Sequence, residues 1–177
     1  ATVRFLELQA RAGADALMLF DSWASAVPAH ARDHVVSDPV AQIIDQLARR
    51  GIRKPVIGFP KGIGEGLVRY CELSGVRAVG IDHGTDIRWA AQHLPEDIVL
   101  QGNLDPMTLI DAGKKMHDSI AEILDVCSGR PHIFNLGHGI TPETPVEHVD
   151  RLLEMPGVNV DALGATGNLI SYIINRC

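Results

Sequence analysis

Cysteine is scarce in this 177-residue sequence, and the three cysteines, Cys71, Cys127 and Cys177, lie far apart. An odd and scattered set excludes a disulfide framework and a zinc site built on cysteine thiolates. The pattern is typical of a chain whose thiols stay reduced, so we expect a cytoplasmic protein.

Long hydrophobic runs are also missing, since no apolar stretch approaches the ~20 residues that a transmembrane helix needs. The first residue is Ala1 rather than Met, and no secretory signal pattern follows it. We therefore expect no membrane partner and interpret this end as a cut edge in preference to a mature one.

Basic residues are outnumbered, with 16 Lys and Arg against 22 Asp and Glu and a formal net charge of −6. This balance excludes a generally basic surface for nucleic acid. The two tryptophans, Trp23 and Trp89, are isolated and not interleaved with basic residues. No stacking platform for nucleic acid is predicted either.

Five short apolar runs are the main pattern that is present. They occupy residues 16–20, 56–59, 78–81, 98–101 and 132–135. Each run is continuous rather than alternating, which is typical of strands buried on both faces of a parallel sheet.

Helix signals lie between these runs. Ser37-Asp38-Pro39 predicts the start of a helix, and this helix is predicted to end near Gly51. Asp105-Pro106 predicts the start of a second helix. Thr144 has the spacing of a capping box with Glu147. Strands and helices alternate, so the sequence favours a (β/α) barrel or a doubly wound sheet.

The length limits the barrel alternative. Eight strands close such a barrel, and ~250 residues are typical, so a chain with five strands forms only part of one. The rhythm of strand and helix continues to about residue 155, whereas residues 156–177 do not continue it.

Two polar segments directly follow predicted strands, where a parallel fold places its ligand. Ser22 follows the first strand, and no G-x-S-x-G motif surrounds it, which argues against a hydrolase nucleophile. His138 lies between two glycines after the fifth strand, and a histidine there can bind an anion, move a proton or bind metal. His132 begins that strand, so the two histidines are not expected to share a metal.

Other strand-end residues favour simpler interpretations. The glycines that follow Lys61 match neither a P-loop nor a dinucleotide-binding motif, so a flexible loop is predicted. Asp82 and His83 are candidate pocket residues, although an ordinary turn is the simpler interpretation, and Asp105 is predicted to cap a helix. No motif supplies a catalytic zinc ligand set.

Several of these segments together resemble the carboxyl-terminal half of the uroporphyrinogen decarboxylase family. The matching stretches are residues 9–16, 19–22, 80–82, 100–106 and, most specifically, Phe134-Asn135-Leu136-Gly137-His138-Gly139-Ile140. They occur in family order over residues 1–155.

The resemblance implies a partial (β/α)8 TIM barrel with its cleft at the carboxyl ends of the strands. It implies a lyase of porphyrin and haem biosynthesis, which removes four acetate carboxyl groups from uroporphyrinogen III and yields coproporphyrinogen III without a metal or organic cofactor. Ser22 and His138 match substrate-binding residues of the family, and Phe20 stands beside them in the pocket wall. A homodimer is implied for the full-length parent.

The family's catalytic aspartate, its arginine-rich segment and a tyrosine belong to the amino-terminal half, so no catalytic residue is assigned in this chain. We therefore expect the chain alone to be inactive. Residues 156–177 depart from the family after the break at Pro156-Gly157. This favours a truncated, partial or frame-shifted decarboxylase sequence.

Two alternatives remain open at this point. One is a cobalamin- or zinc-linked methyltransferase of the same superfamily, which would need a thiolate and histidine zinc set. The other is a fragment that binds porphyrinogen without turnover.

Overall fold

The computed structural model describes residues 1–155 and Val158, so the atypical tail predicted over 156–177 lies outside the described residues except for Val158. Five strands alternate with helices along the chain. The strands are β1 (Leu17–Asp21), β2 (Val56–Pro60), β3 (Ala78–Gly80), β4 (Val99–Leu104) and β5 (His132–Leu136). The helices are α1 (Thr2–Arg11), α2 (Asp38–Arg49), α3 (Gly66–Ser74), α4 (Ile87–His93), α5 (Thr108–Asp111), α6 (Lys114–Val126) and α7 (Val146–Leu153).

All of the strand pairs with a defined register are parallel. β1 pairs with β2 from Leu17 opposite Val56 onward, β2 pairs with β3, and β4 pairs with β5 from Leu100 opposite His132 onward. The strand order follows the chain order over β1, β2 and β3 and over β4 and β5. The five predicted strands are confirmed, and the fold is part of a (β/α)8 barrel.

The chain divides into two compact units. Residues 1–80 with 93–99 form the first unit, and residues 81–92 with those from 100 onward form the second. The apolar strand residues form much of the core of each unit, because β2, β3 and β4 are buried along most of their length.

A buried carboxylate ties two helices of the first unit together. Glu7 of α1 is only 5% exposed. It accepts hydrogen bonds from Arg11 at 3.0 Å, from Arg4 at 3.3 Å and from Arg50 at 3.0 Å. Arg50 directly follows α2, so this contact joins the two helices. The Arg11 hydrogen bond is the main cause that lowers the pKa of Glu7, and burial opposes it.

Helices α5, α6 and α7 cover apolar side chains in the second unit. Leu109, Met116, Ile120 and Ile123 are buried on α5 and α6. His148 of α7 donates a hydrogen bond from Nδ1 to the carbonyl oxygen of Leu109 at 2.7 Å, which fixes α7 to α5.

Helix α2 begins at Asp38 and ends at Arg49, close to the predicted bounds, but neither Ser37 nor Thr144 makes a side-chain capping bond. Ser37 is buried at the end of a π-helical turn over Asp33–Ser37 that runs straight into α2, so its backbone is already helical and its side chain caps nothing. Thr144 also makes no cap to α7, because its hydroxyl pairs with that of Thr141 at 3.2 Å and Pro145 takes the capping position.

The predicted helix after Asp105-Pro106 is present but broken. It divides into α5 and α6 at Ala112, whose φ of 45° is left-handed. Asp105 does order this start, because its Oδ1 accepts a hydrogen bond from the Met107 amide at 2.9 Å.

Cys71 and Cys127 are both buried, and Cys177 lies outside the described residues. Within the part of the chain that the structure describes, no helix has the length and apolar character needed to cross a membrane.

Candidate functional site

Ser22 directly follows the carboxyl end of β1 and is exposed, as the strand pattern predicts. The turn that carries it is ordered by Asp21, whose Oδ1 accepts a hydrogen bond from the Trp23 amide at 3.2 Å. The carbonyl oxygen of Asp21 accepts a second bond from the Lys61 amide at 3.0 Å. The first unit therefore holds the Ser22 backbone in place and leaves its hydroxyl accessible.

An exposed aromatic surface stands beside Ser22. Phe20 belongs to β1, yet its side chain is 69% exposed, and the nearby Trp23 is 79% exposed. The Phe20 ring meets Phe59 of β2 edge to face, with ring centroids 6.0 Å apart. Large apolar side chains left open to water beside a polar strand end are typical of a binding surface.

Gly80 explains how Phe59 is positioned. A Cβ at Gly80 would overlap the Cδ2 atom of Phe59 and come within 3.2 Å of its Cγ. Only a residue without a side chain lets the Phe59 ring lie over β3, and Phe59 in turn supports Phe20.

His138 occupies the corresponding place in the second unit, two residues after the end of β5. Its imidazole is exposed and lies beside that of His83, with ring centroids 6.2 Å apart and ring planes at 76°. A Cβ at Gly137 would overlap the backbone nitrogen of His83, so the absence of a side chain at residue 137 permits this approach.

Asp82 orders the turn that carries His83. Its Oδ1 accepts a hydrogen bond from the Gly84 amide at 2.9 Å, and its Oδ2 accepts one from the Thr85 hydroxyl at 3.1 Å. The simpler interpretation of Asp82 as a turn residue is therefore confirmed.

Asn103 of β4 is a residue that the sequence analysis missed. Its buried Nδ2 donates hydrogen bonds to the carbonyl oxygens of Asp82 at 3.2 Å and Thr85 at 2.7 Å. Asn103 lies two residues beyond the fourth predicted strand, so the apolar pattern did not indicate its burial, although a buried amide needs such hydrogen-bond partners.

His132 begins β5, whereas His138 follows its end, as predicted. Nε2 of His132 donates a hydrogen bond to the carbonyl oxygen of Gly102 at 2.8 Å. Burial is the main cause that lowers the pKa of His132, and the positive charge of Arg130 adds to it. Among residues 1–155 and 158, no three His, Cys, Asp or Glu side chains are arranged to hold a metal ion.

The family model for uroporphyrinogen decarboxylase matches residues 1–156. The chain belongs to the uroporphyrinogen decarboxylase family. The uroporphyrinogen decarboxylase of Hyphomonas neptunium is 46% identical over 155 residues, which are 88% of this chain and 45% of that protein. That of Rhizorhabdus wittichii is 46% identical over 153 residues, which are 86% of this chain and 44% of that protein. The chain thus spans a little under half the length of the curated relatives it matches.

A solved methyltransferase from Methanosarcina mazei has a similar fold, with a TM-score of 0.71 and 18% sequence identity. The similarity covers 86% of this chain and 44% of the methyltransferase. At this identity it supports the barrel architecture and carries no information on the reaction.

Proposed function

We propose that this chain supplies part of the substrate cleft of an enzyme that converts uroporphyrinogen III to coproporphyrinogen III. The observation that carries the proposal is the family match over residues 1–156. It is supported by the placement of Ser22 and His138, each directly after the carboxyl end of a parallel strand.

The reaction replaces each of four acetate arms by a methyl group. Protonation of a pyrrole carbon makes the ring an electron sink, and the bond to the carboxylate then breaks with release of CO2. The electron pair neutralises the ring, the new exocyclic carbon takes up a proton, and the ring loses the proton it first gained. Each arm therefore consumes one proton in total.

The residues of this chain bind and orient the substrate. The substrate carries eight carboxylates, and those that are not reacting need hydrogen-bond donors. The Ser22 hydroxyl and the His138 imidazole supply such donors, and the exposed Phe20 ring offers an apolar surface for a pyrrole. A charge-assisted hydrogen bond to a carboxylate is roughly twice as strong as a neutral one.

No residue of this chain is proposed to stabilise the developing pyrrole cation. Both oxygens of Asp82 accept hydrogen bonds within its own turn, and Asp105 orders the start of α5. We place that group in the other half of the barrel. The enzyme is proposed to act without a cofactor, as a homodimer in the cytoplasm.

A segment swap tests the proposal. The 155 residues of the Hyphomonas neptunium decarboxylase that align with this chain are replaced by the matching residues of this chain, and the chimera is expressed in a bacterium whose own decarboxylase is deleted. We expect growth without added haem. A chimera that matches the parent enzyme in circular dichroism and gel filtration but does not restore growth would contradict the proposal.

A further inference from the structure

We propose that His83 is a second substrate-binding residue, which acts with His138 on one carboxylate arm of the substrate. This role rests on the proposed function for the identity of the ligand. It assigns a binding role to a histidine that the sequence alone placed in an ordinary turn.

The separation of the two rings fits a shared carboxylate. Their centroids are 6.2 Å apart, and both side chains are exposed. A hydrogen bond from nitrogen to a carboxylate oxygen spans about 2.7–2.9 Å. Two such bonds to the two oxygens of one carboxylate therefore reach from both rings without moving them apart. A neutral imidazole has one N–H donor, so two imidazoles match the two oxygens.

The position of His83 is fixed by contacts that do not use its ring. Asn103 donates to the backbone of the 82–85 turn at two points, and both oxygens of Asp82 close that turn from within. Gly137 lets the His83 backbone pack closely against the segment that carries His138. A donor pair held in place before binding loses little conformational freedom when the ligand arrives.

Other occupants suit the pair less well. Among the described residues, no third His, Cys, Asp or Glu completes a metal ligand set with these two histidines. An anion with two acceptor oxygens is the chemistry that the pair recognises.

Binding of uroporphyrin III to the full 177-residue chain tests the proposal. This oxidised form keeps the eight carboxylates of the substrate and is not decarboxylated. With ¹⁵N-labelled histidine, we expect the imidazole signals of His83 and His138 to shift along one binding curve. We expect His83→Ala to weaken binding about tenfold or more, and the control His117→Ala, at an exposed residue on α6, to leave it unchanged.

Two further variants separate a shared carboxylate from independent effects. His83→Asn keeps an N–H donor and should retain part of the affinity that His83→Ala loses. The double variant His83→Ala, His138→Ala should lose less than the product of the two single losses, because both residues hold the same group. A His83 signal that stays in place, affinity of His83→Ala within twofold of the parent, or no binding of uroporphyrin would each overturn the proposal.

Kinetics of the segment-swap chimera keep this proposal distinct from the proposed function. A chimera that turns over uroporphyrinogen, with the His83→Ala variant at the parental KM, would overturn the role of His83 alone. A folded chimera without turnover would overturn the function, while the binding experiment would still decide whether His83 and His138 hold a carboxylate together.

Discussion

Ser22 and His138 share a setting that the fold explains. Each follows the last residues of a parallel strand, and each side chain is exposed while the backbone beside it is held by turns or close packing. At this end of a parallel strand a polar side chain does not have to be buried in the core, because it lies beyond the buried part of the strand.

Removal of either donor should weaken substrate handling in the chimera. We predict that Ser22→Ala and His138→Ala each lower kcat/KM about tenfold or more, mainly through KM, because each loses a hydrogen bond to a carboxylate worth ~1.5–3 kcal/mol. Ser128→Ala, at an exposed residue after α6, is the matched control. Steady-state kinetics check this, and parental values in both variants would refute the assigned roles.

His132 should make stability depend on pH in a defined direction. Burial holds its folded-state pKa below 6.5, so the unfolded chain binds more protons near that pH. The contribution of neutral His132 to the free energy of unfolding is therefore fully present above pH 6.5 and is lost as the pH falls below that value. We predict that the free energy of unfolding in urea falls from about pH 7.5 to about pH 5.5 more steeply in the parent than in His132→Gln.

Comparing the parent with His132→Gln separates the effect of His132 on stability from the effects of the other histidines. His34 pairs with Asp38, which raises the pKa of His34 and gives the opposite pH trend, but this pair is present in both proteins. Equal pH slopes in the parent and the variant would show that the pKa of His132 is not lowered in the folded chain.

The sequence predicted the positions of Ser22 and His138 because strand ends can be inferred from where an apolar run stops. It did not predict Asn103 or the pairing of His83 with His138. Both depend on which loops meet in space, and nothing in the spacing of residues 82, 103 and 138 along the chain encodes that contact.

At the scale of an element, the loop after β5 depends on the missing side chain at residue 137. We predict that Gly137→Ala lowers the free energy of unfolding by about 1–3 kcal/mol, since its Cβ would overlap the backbone of His83. Gly139→Ala is the matched control, because a Cβ there meets nothing within 4 Å. Urea unfolding of the two variants measures the difference, and equal midpoints would contradict the described packing.

The turn between β3 and α4 should depend on the amide of Asn103 in the same way. Asn103→Asp replaces a donor that serves two carbonyl oxygens by a buried acceptor, so we predict a loss of about 2 kcal/mol or more. Asn135→Asp is the control, because its Oδ1 accepts a bond from the Leu136 amide and a carboxylate preserves that role. Thermal unfolding of the two variants measures the difference, and an equal loss of stability in both would refute the assigned role of Asn103.

The start of α2 was predicted from the sequence, but the capping role of Ser37 is absent, and the reason is physical. A residue that caps a helix has a non-helical backbone itself. Residues 33–37 instead form a π-helical turn that continues into α2, so Ser37 is already helical. Ser37 thus had the right residue type in the wrong backbone conformation. Strands were predicted within a few residues because burial on both faces leaves a continuous apolar run.

At the scale of the whole molecule, the described residues form five parallel strands of a fold that closes with eight. The relatives that match are more than twice as long as the matched segment. We therefore expect binding residues in this chain and the charge that stabilises the pyrrole cation elsewhere in the barrel. Binding of substrate alone does not lower the barrier selectively.

The most direct test of this account is coproporphyrinogen formation, measured in one assay for the purified segment-swap chimera and for the 177-residue chain alone. We predict many turnovers by the chimera without added metal and none by the chain alone, because the preorganised charge is present only in the chimera. A chimera that is folded as the parent enzyme is but forms no coproporphyrinogen would contradict the account, and so would multiple turnovers by the chain alone.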